Sequence, residues 1–152
     1  MKQYSRKPAL AVLGATILAA GAYVWTTRAD ARMAQGPTLA QLEVAIANPD
    51  ANLETWMLYA ERLLEEGQFG HAAAAFERVL EEDPCSQTAN LQCAVALART
   101  GDADQYFDFL TRLLPIEPRL TLDILGRPIS RPFLAEARFD KLLHRAQAQS
   151  MD

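Results

Sequence analysis

The chain has 152 residues, of which half are hydrophobic, and a formal net charge of −4 at pH 7. This length predicts one domain with a hydrophobic core, and the small, mixed charge lacks the basic footprint of a nucleic-acid-binding protein. The two cysteines and two histidines lack the paired spacing of a structural zinc site, so we expect neither a metal nor a cofactor.

Residues 8–27 form a stretch of twenty residues without a single charge. As a helix, this stretch would span the roughly 30 Å hydrocarbon layer of a bilayer. Basic residues in the segment 1–7 precede it, so the positive-inside rule predicts a cytoplasmic N-terminus and an exported remainder. We therefore expect a single-pass signal anchor in a bacterial inner membrane, a linker over residues 28–37, and a periplasmic domain after it.

A cleaved signal peptide is the alternative interpretation of the same stretch. Residues 20–22 fit a small-x-small cleavage pattern, and residues 29–31 are a weaker second match. The apolar run continues through Tyr23 and Trp25, which a cleaved signal would not require. This continuation favours an anchor that is retained.

A short amphipathic helix is predicted over residues 38–48. Leu42 and Ala45 precede Phe76 and Val79 by 34 residues each, the same distance that separates the repeated positions downstream. We interpret this helix as the second half of an incomplete repeat, which would shield one end of a helical array.

The chain repeats one pattern between Trp56 and Pro118 with a period of 34 residues. Apolar residues recur at three- and four-residue steps, which predicts two amphipathic helices per copy. A glycine inside each copy predicts a sharp turn, and a proline at its end predicts the end of the second helix. The first copy contains Trp56, Tyr59, Ala60, Leu63, Gly67, Phe69, Ala72, Phe76, Val79 and Pro84, and the second contains Asn90, Cys93, Ala94, Leu97, Gly101, Ala103, Tyr106, Leu110, Leu113 and Pro118.

This pattern resembles the tetratricopeptide repeat (TPR) family. The resemblance implies an all-α fold, an array of helical hairpins with about two full repeats and terminal capping helices, behind the N-terminal transmembrane helix. We expect the TPR domain to cover residues 38–147 and a short tail to cover residues 148–152. Repeats of this family are generic binding scaffolds, so the resemblance implies protein–protein interaction and no enzymatic activity.

The repeat decays after Pro118. A short helix is predicted around residues 120–125, but a glycine and two prolines in residues 126–132 interrupt the pattern. Helical periodicity resumes over residues 133–147. We expect this last segment to cap the other end of the array.

The reactive side chains do not form a catalytic constellation in the sequence. Cys93 occupies a small inward-facing position and is expected to be a buried core thiol, whereas Cys85 follows a proline in a turn and is expected to be exposed. A disulfide between them is an alternative in an oxidising compartment, although Cys93 lies more than a helical turn into the next helix. His71 and His144 are expected to face solvent.

If the repeats stack normally, their first helices line a concave groove that is mainly apolar with an acidic edge. Such a groove favours an amphipathic helix or an extended segment with some basic residues. Chaperone-binding TPR proteins grip a carboxylate with lysines and asparagines, and Met57, Glu61 and Gln92 at the matching positions argue against that mode. The alternative is that a terminal helix covers the apolar positions. The predicted groove residues are Glu54, Met57, Glu61, Leu64, Glu65, Thr88, Leu91, Gln92, Val95, Ala98 and Arg99.

A second resemblance extends beyond the fold. An N-terminal anchor followed by residues 39–50, Trp56 and the repeats is similar to the exported TPR region of bacterial cytochrome c biogenesis proteins. This resemblance implies an assembly factor that holds the C-terminal region of an apocytochrome c for haem attachment. The alternative is a permanent accessory subunit of a larger membrane protein complex.

Overall fold

The computed structural model describes residues 36–151, and every regular element in this range is helical. The predicted span 8–27 and the segment 1–7 lie outside the described residues. Within residues 36–151, no helix has both the length and the apolar character needed to cross a bilayer. The helices are α1 (Leu39–Ile46), α2 (Leu53–Glu65), α3 (Phe69–Glu82), α4 (Gln87–Thr100), α5 (Ala103–Leu113), α6 (Pro118–Gly126), a 3₁₀ helix (Pro128–Phe133) and α7 (Ala137–Ser150).

The first hairpin, α2 and α3, has defined caps at both ends of α2. At the start, Asn52 Oδ1 accepts hydrogen bonds from the Thr55 backbone N–H at 2.9 Å and from the Thr55 hydroxyl at 2.8 Å. At the end, Gly67 has a φ of 76°, which the turn requires and glycine adopts without strain. The Gln68 N–H then bonds to the Leu63 carbonyl oxygen at 2.9 Å, closing a Schellman motif. The predicted glycine turn is confirmed.

The second hairpin, α4 and α5, repeats this local chemistry. Gly101 ends α4 with a φ of 77°, and Asp102 follows as the N-cap of α5. The Asp102 carboxylate accepts the backbone N–H groups of Asp104 and Gln105 at 3.0 and 3.1 Å. These bonds satisfy donors that the first turn of a helix leaves unpaired.

The two repeat prolines have different roles. Pro84 follows the end of α3 at Glu82, as predicted. The prediction for Pro118 is wrong, because α5 already ends at Leu113 and Pro118 lies in the first turn of α6. Pro115 explains the early end of α5, since proline has no N–H with which to continue the helix. The fixed φ of Pro118 suits the start of a helix.

The C-terminal segment forms a third helical pair, α6 and α7, where the repeat pattern decays. The 3₁₀ helix, which contains Pro132, connects the two helices in place of a glycine turn. α7 begins at Ala137 and continues to Ser150, so it starts later than the predicted residue 133 and extends into the predicted tail. α7 packs against α6 and α5.

A buried hydrogen-bond chain ties the 3₁₀ helix to α5. Ser130 Oγ donates to the Ile124 carbonyl oxygen at 2.7 Å and lies 2.7 Å from the Tyr106 hydroxyl. Because the only hydroxyl proton of Ser130 goes to Ile124, Tyr106 is the donor in the other bond. The Phe133 ring stacks on that of Tyr106 with centroids 4.4 Å apart. Burial raises the pKa of Tyr106, so the phenol keeps the proton that this bond needs.

The helices pack in the order of the chain. α1 packs against α2, α3 packs against α2 and α4, and α5 packs against α4. Phe76 and Leu110 lie at the centre of the core and are fully buried. In α1, Leu42 is buried as predicted, but Ala45 is exposed, because the short α1 has α2 as its main packing partner. The predicted equivalence of Ala45 with Val79 is therefore wrong.

Candidate functional site

The first helices of the three pairs lie side by side, since α4 contacts both α2 and α6. This arrangement brings the groove residues of α2 and α4 onto adjacent helices. The apolar side chains of Met57, Leu64 and Leu91 pack against the core and are only partly buried. In the full set, Glu54, Glu65, Thr88 and Arg99 are exposed, and Met57, Glu61, Leu64, Leu91, Gln92, Val95 and Ala98 are half-buried.

The terminal helices α1 and α7 do not have α4, which forms one side of the predicted groove, as a main packing partner. α1 packs against α2, and α7 packs mainly against α5 and α6. Leu91 and Val95 belong to α4, which is a main packing partner of neither α1 nor α7. This packing favours an accessible groove at α4 over the alternative in which a terminal helix covers it.

The α2 side of the groove is acidic, with Glu54, Glu61 and Glu65 on one helix. Arg62 Nη1 lies 2.8 Å from a carboxylate oxygen of Glu65. Across the surface, the Arg99 guanidinium lies 5.8 Å from the centre of the Phe69 ring. Interactions of this kind between exposed groups contribute about 1 kcal/mol or less each, so a basic partner can compete for the carboxylates.

A second concave surface lies between α3 and α5, and sequence reasoning missed it. We name it the α3–α5 cleft. It holds two cavities of about 290 and 540 Å³, and Glu77 and Arg112 line both of them. No predicted groove residue lines either cavity. The signal in the sequence is a set of small residues on α3, Gly70, Ala73 and Ala74, which leaves space beside α5.

The two cysteines differ in exposure, as the sequence predicts. Cys93 is fully buried, and its Sγ lies 3.8 Å from the Ala73 carbonyl oxygen. Burial raises the pKa of the Cys93 thiol, and the nearby Glu77 carboxylate raises it further. Cys85 is exposed, and both thiols are free. Cys93 is therefore a core thiol, as predicted, and the alternative disulfide is not formed.

The histidines are also exposed, as predicted. His71 Nδ1 lies 3.2 Å from the Gln68 side-chain oxygen, and His144 lies on the outer side of α7. Across residues 36–151, no three His, Cys, Asp or Glu side chains come together in a way that could hold a metal ion. The concave surfaces are therefore the candidate sites in this part of the chain.

The stacked helical pairs define the class of protein, a helical-repeat scaffold. Comparison with protein families matches residues 63–118 to the tetratricopeptide repeat family. The matched range covers the end of α2, all of α3, α4 and α5, and the start of α6. This match supports a TPR protein, and TPR domains are typically non-catalytic modules that bind protein partners. No curated protein and no solved structure matches the chain.

Proposed function

We propose that the chain is a non-catalytic scaffold that binds a segment of a partner protein across α2 and α4. The observation that carries this proposal is the half-buried state of the apolar groove residues. Met57, Leu64 and Leu91 contact the core on one side and keep an accessible side on adjacent helices. A partner that covers this surface gains apolar burial without unfolding the array.

The acidic edge selects the chemistry of the partner. Glu54, Glu61 and Glu65 line the α2 side, and they favour lysine or arginine beside the apolar anchors. The partner segment is therefore an amphipathic helix or an extended strand with basic residues. Charges at the rim of such an interface affect the association rate and its salt dependence more than the final affinity.

Residues 8–27 supply a membrane anchor in this proposal, and the repeats act in a bacterial periplasm. The resemblance of residues 38–118 to cytochrome c biogenesis proteins supports apocytochrome c as the client. The competing function is that of a permanent accessory subunit of a membrane complex. A client exchanges during assembly, whereas a subunit stays bound in fixed stoichiometry.

The groove is tested by Leu91→Glu in the full-length chain. Leu134→Glu is the control, because Leu134 is also apolar, is 54% exposed and is not one of the predicted groove residues. After mild crosslinking in detergent, mass spectrometry identifies the bound proteins. We expect Leu91→Glu to reduce their recovery about tenfold or more and Leu134→Glu to leave it unchanged, with equal far-UV circular dichroism for both variants.

The identity of the bound proteins then separates the two functions. Apocytochromes and haem-attachment proteins that are lost in Leu91→Glu support maturation. A fixed set of other membrane subunits supports the accessory role. Recovery that is insensitive to Leu91→Glu contradicts binding in the groove. In parallel, retention of the chain in the membrane pellet after an alkaline carbonate wash supports the anchor, and its release argues against it.

A further inference from the structure

The walls of the α3–α5 cleft are α3 and α5, and α4 lies between them as its floor. α3 and α5 each pack against α4, which contributes Leu97 to one cavity and Asn90 to the other. Asn90 is itself fixed, because its side-chain N–H donates to the Pro84 carbonyl oxygen at 2.9 Å. The floor of the cleft is thus part of the folded core, and the cleft does not need to form on binding.

The end of the cleft near Pro84 is apolar. Leu80 from α3 faces Phe109, Leu113 and Ile116 from α5 and the turn after it, around a cavity of about 290 Å³. Phe109 and Leu113 are almost fully buried, whereas Ile116 is 48% exposed. An isoleucine this exposed at the mouth of an apolar cavity can be covered by an inserted side chain, which removes apolar surface from water.

The polar part of the cleft is acidic. Glu77, Glu81 and Asp108 line the two cavities, and the cation among the lining residues is Arg112. An Arg112 Nη lies 2.6 Å from a Glu77 oxygen, but these side chains keep 68% and 44% of their exposure. So exposed a pair contributes about 1 kcal/mol or less, and a cation from outside can replace Arg112 beside Glu77.

The surroundings of the cleft increase this preference for cations. Residues 39–117 carry fourteen aspartates and glutamates against four arginines and no lysine. Residues 118–151 carry the opposite excess, with six basic and three acidic residues. A basic segment approaching the repeats is therefore attracted over the whole of α1 to α5, and the attraction weakens with added salt.

We propose that the α3–α5 cleft is a second protein-docking surface, which binds a basic amphipathic segment. One large apolar side chain of this segment inserts against Ile116 and Phe109. A lysine or arginine beside it pairs with Glu77 or Asp108. This surface is separate from the groove on α2 and α4, so the chain can hold two segments at once, and the proposal does not depend on that groove.

The test uses the full-length chain in a neutral detergent and a defined peptide probe. The probe is an amphipathic leucine–lysine peptide of about twelve residues with a photoreactive benzoylphenylalanine in the middle of its apolar face. The site of crosslinking is read by mass spectrometry, which separates peptide bound in the cleft from peptide bound to detergent. We expect crosslinks on α3 and α5 around Leu80, Phe109 and Ile116, and their loss at high salt.

Two variants and one further peptide complete the design. Ile116→Lys is expected to reduce crosslinking in the cleft about tenfold or more, because it removes the apolar contact and adds a repelling charge. Leu134→Lys is the control, since Ile116 and Leu134 are both exposed aliphatic side chains of equal carbon count, and it should leave crosslinking in the cleft unchanged. A leucine–glutamate peptide should not crosslink in the cleft.

Three outcomes overturn the proposal. Crosslinks confined to the α2–α4 groove, on Met57 or Leu91 with none on α3 or α5, would mean that the cleft does not bind the peptide. An equal loss in Ile116→Lys and Leu134→Lys would mean that overall charge attracts the peptide. Crosslinking of the leucine–glutamate peptide would mean that the cleft does not select cations. Failure of the cleft leaves the expected effect of Leu91→Glu unchanged, so the two proposals fail separately.

Discussion

Removing the hydroxyl of Ser130 should destabilise the packing of the C-terminal helical pair, because it leaves the Tyr106 hydroxyl without a hydrogen-bond acceptor. Tyr106 and Ser130 are both fully buried, so in Ser130→Ala the Tyr106 hydroxyl has no acceptor and no access to water. An unsatisfied buried donor costs about 1–3 kcal/mol. The Ile124 carbonyl oxygen is affected less, because it also accepts the Arg127 N–H at 3.1 Å.

Tyr106→Phe should lower the free energy of unfolding by less than Ser130→Ala does, by about 0.5–1.5 kcal/mol. It removes the donor, leaves the bond from Ser130 to Ile124 intact and keeps the ring that stacks on Phe133. In the double variant the orphaned hydroxyl is absent, so its destabilisation should be smaller than the sum of the two single effects. The physical reason is that the two substitutions remove the same bond.

The assay is urea unfolding of residues 39–152, which form one compact unit, followed by far-UV circular dichroism. The midpoint should shift to lower urea for Ser130→Ala more than for Tyr106→Phe, with an unchanged slope. Additivity of the single effects within about 0.5 kcal/mol would refute the hydrogen-bond chain. So would a larger cost for Tyr106→Phe than for Ser130→Ala.

Three further predictions concern single positions. Gly101→Ala should destabilise the fold by about 1–2 kcal/mol, because a φ of 77° strains any residue with a Cβ. Gly70→Ala is the control: a Cβ there meets no atom within 4 Å, so stability should be unchanged or rise by about 0.5 kcal/mol. Equal urea midpoints for the two variants would contradict the strain at Gly101. Asn52→Ala should cost about 1 kcal/mol through loss of the α2 cap, and an unchanged thermal midpoint would argue against that cap. In the native protein, iodoacetamide should alkylate Cys85 and spare Cys93, whose pKa is raised by burial. In urea both cysteines should react. Rapid labelling of Cys93 in the native protein, detected by mass spectrometry, would contradict its burial.

The helical pairs of the repeats were predictable because their signals are local. Gly67 and Gly101 mark turns that need a positive φ, and the apolar residues between them repeat in register. The end of α5 differs from the prediction, because Pro115 follows the helix directly and ends it before the repeated Pro118. One proline, two residues beyond Leu113, outweighs the register of the whole repeat, since it lacks the backbone N–H that the next helical hydrogen bond needs.

The third pair and the cleft depend on contacts between distant parts of the chain. No sequence pattern around Ser130 predicts its hydrogen bond to Tyr106, which lies twenty-four residues away. The α3–α5 cleft is a gap, and its walls follow from how α3 and α5 both pack on α4. The predicted groove stays a prediction, because its residues share a surface but no bound segment identifies it.

Because the helices pack in chain order, the chain can fold in the same order. Most helix contacts join elements that are neighbours in the sequence, so the contact order is low and folding should be fast. During synthesis, α2 and α3 can dock before α6 and α7 have left the ribosome, and each later pair covers the apolar face of the one before it. A chain cut short after α5 would leave Tyr106 without Ser130 and Phe133, and would expose an aromatic surface that promotes aggregation.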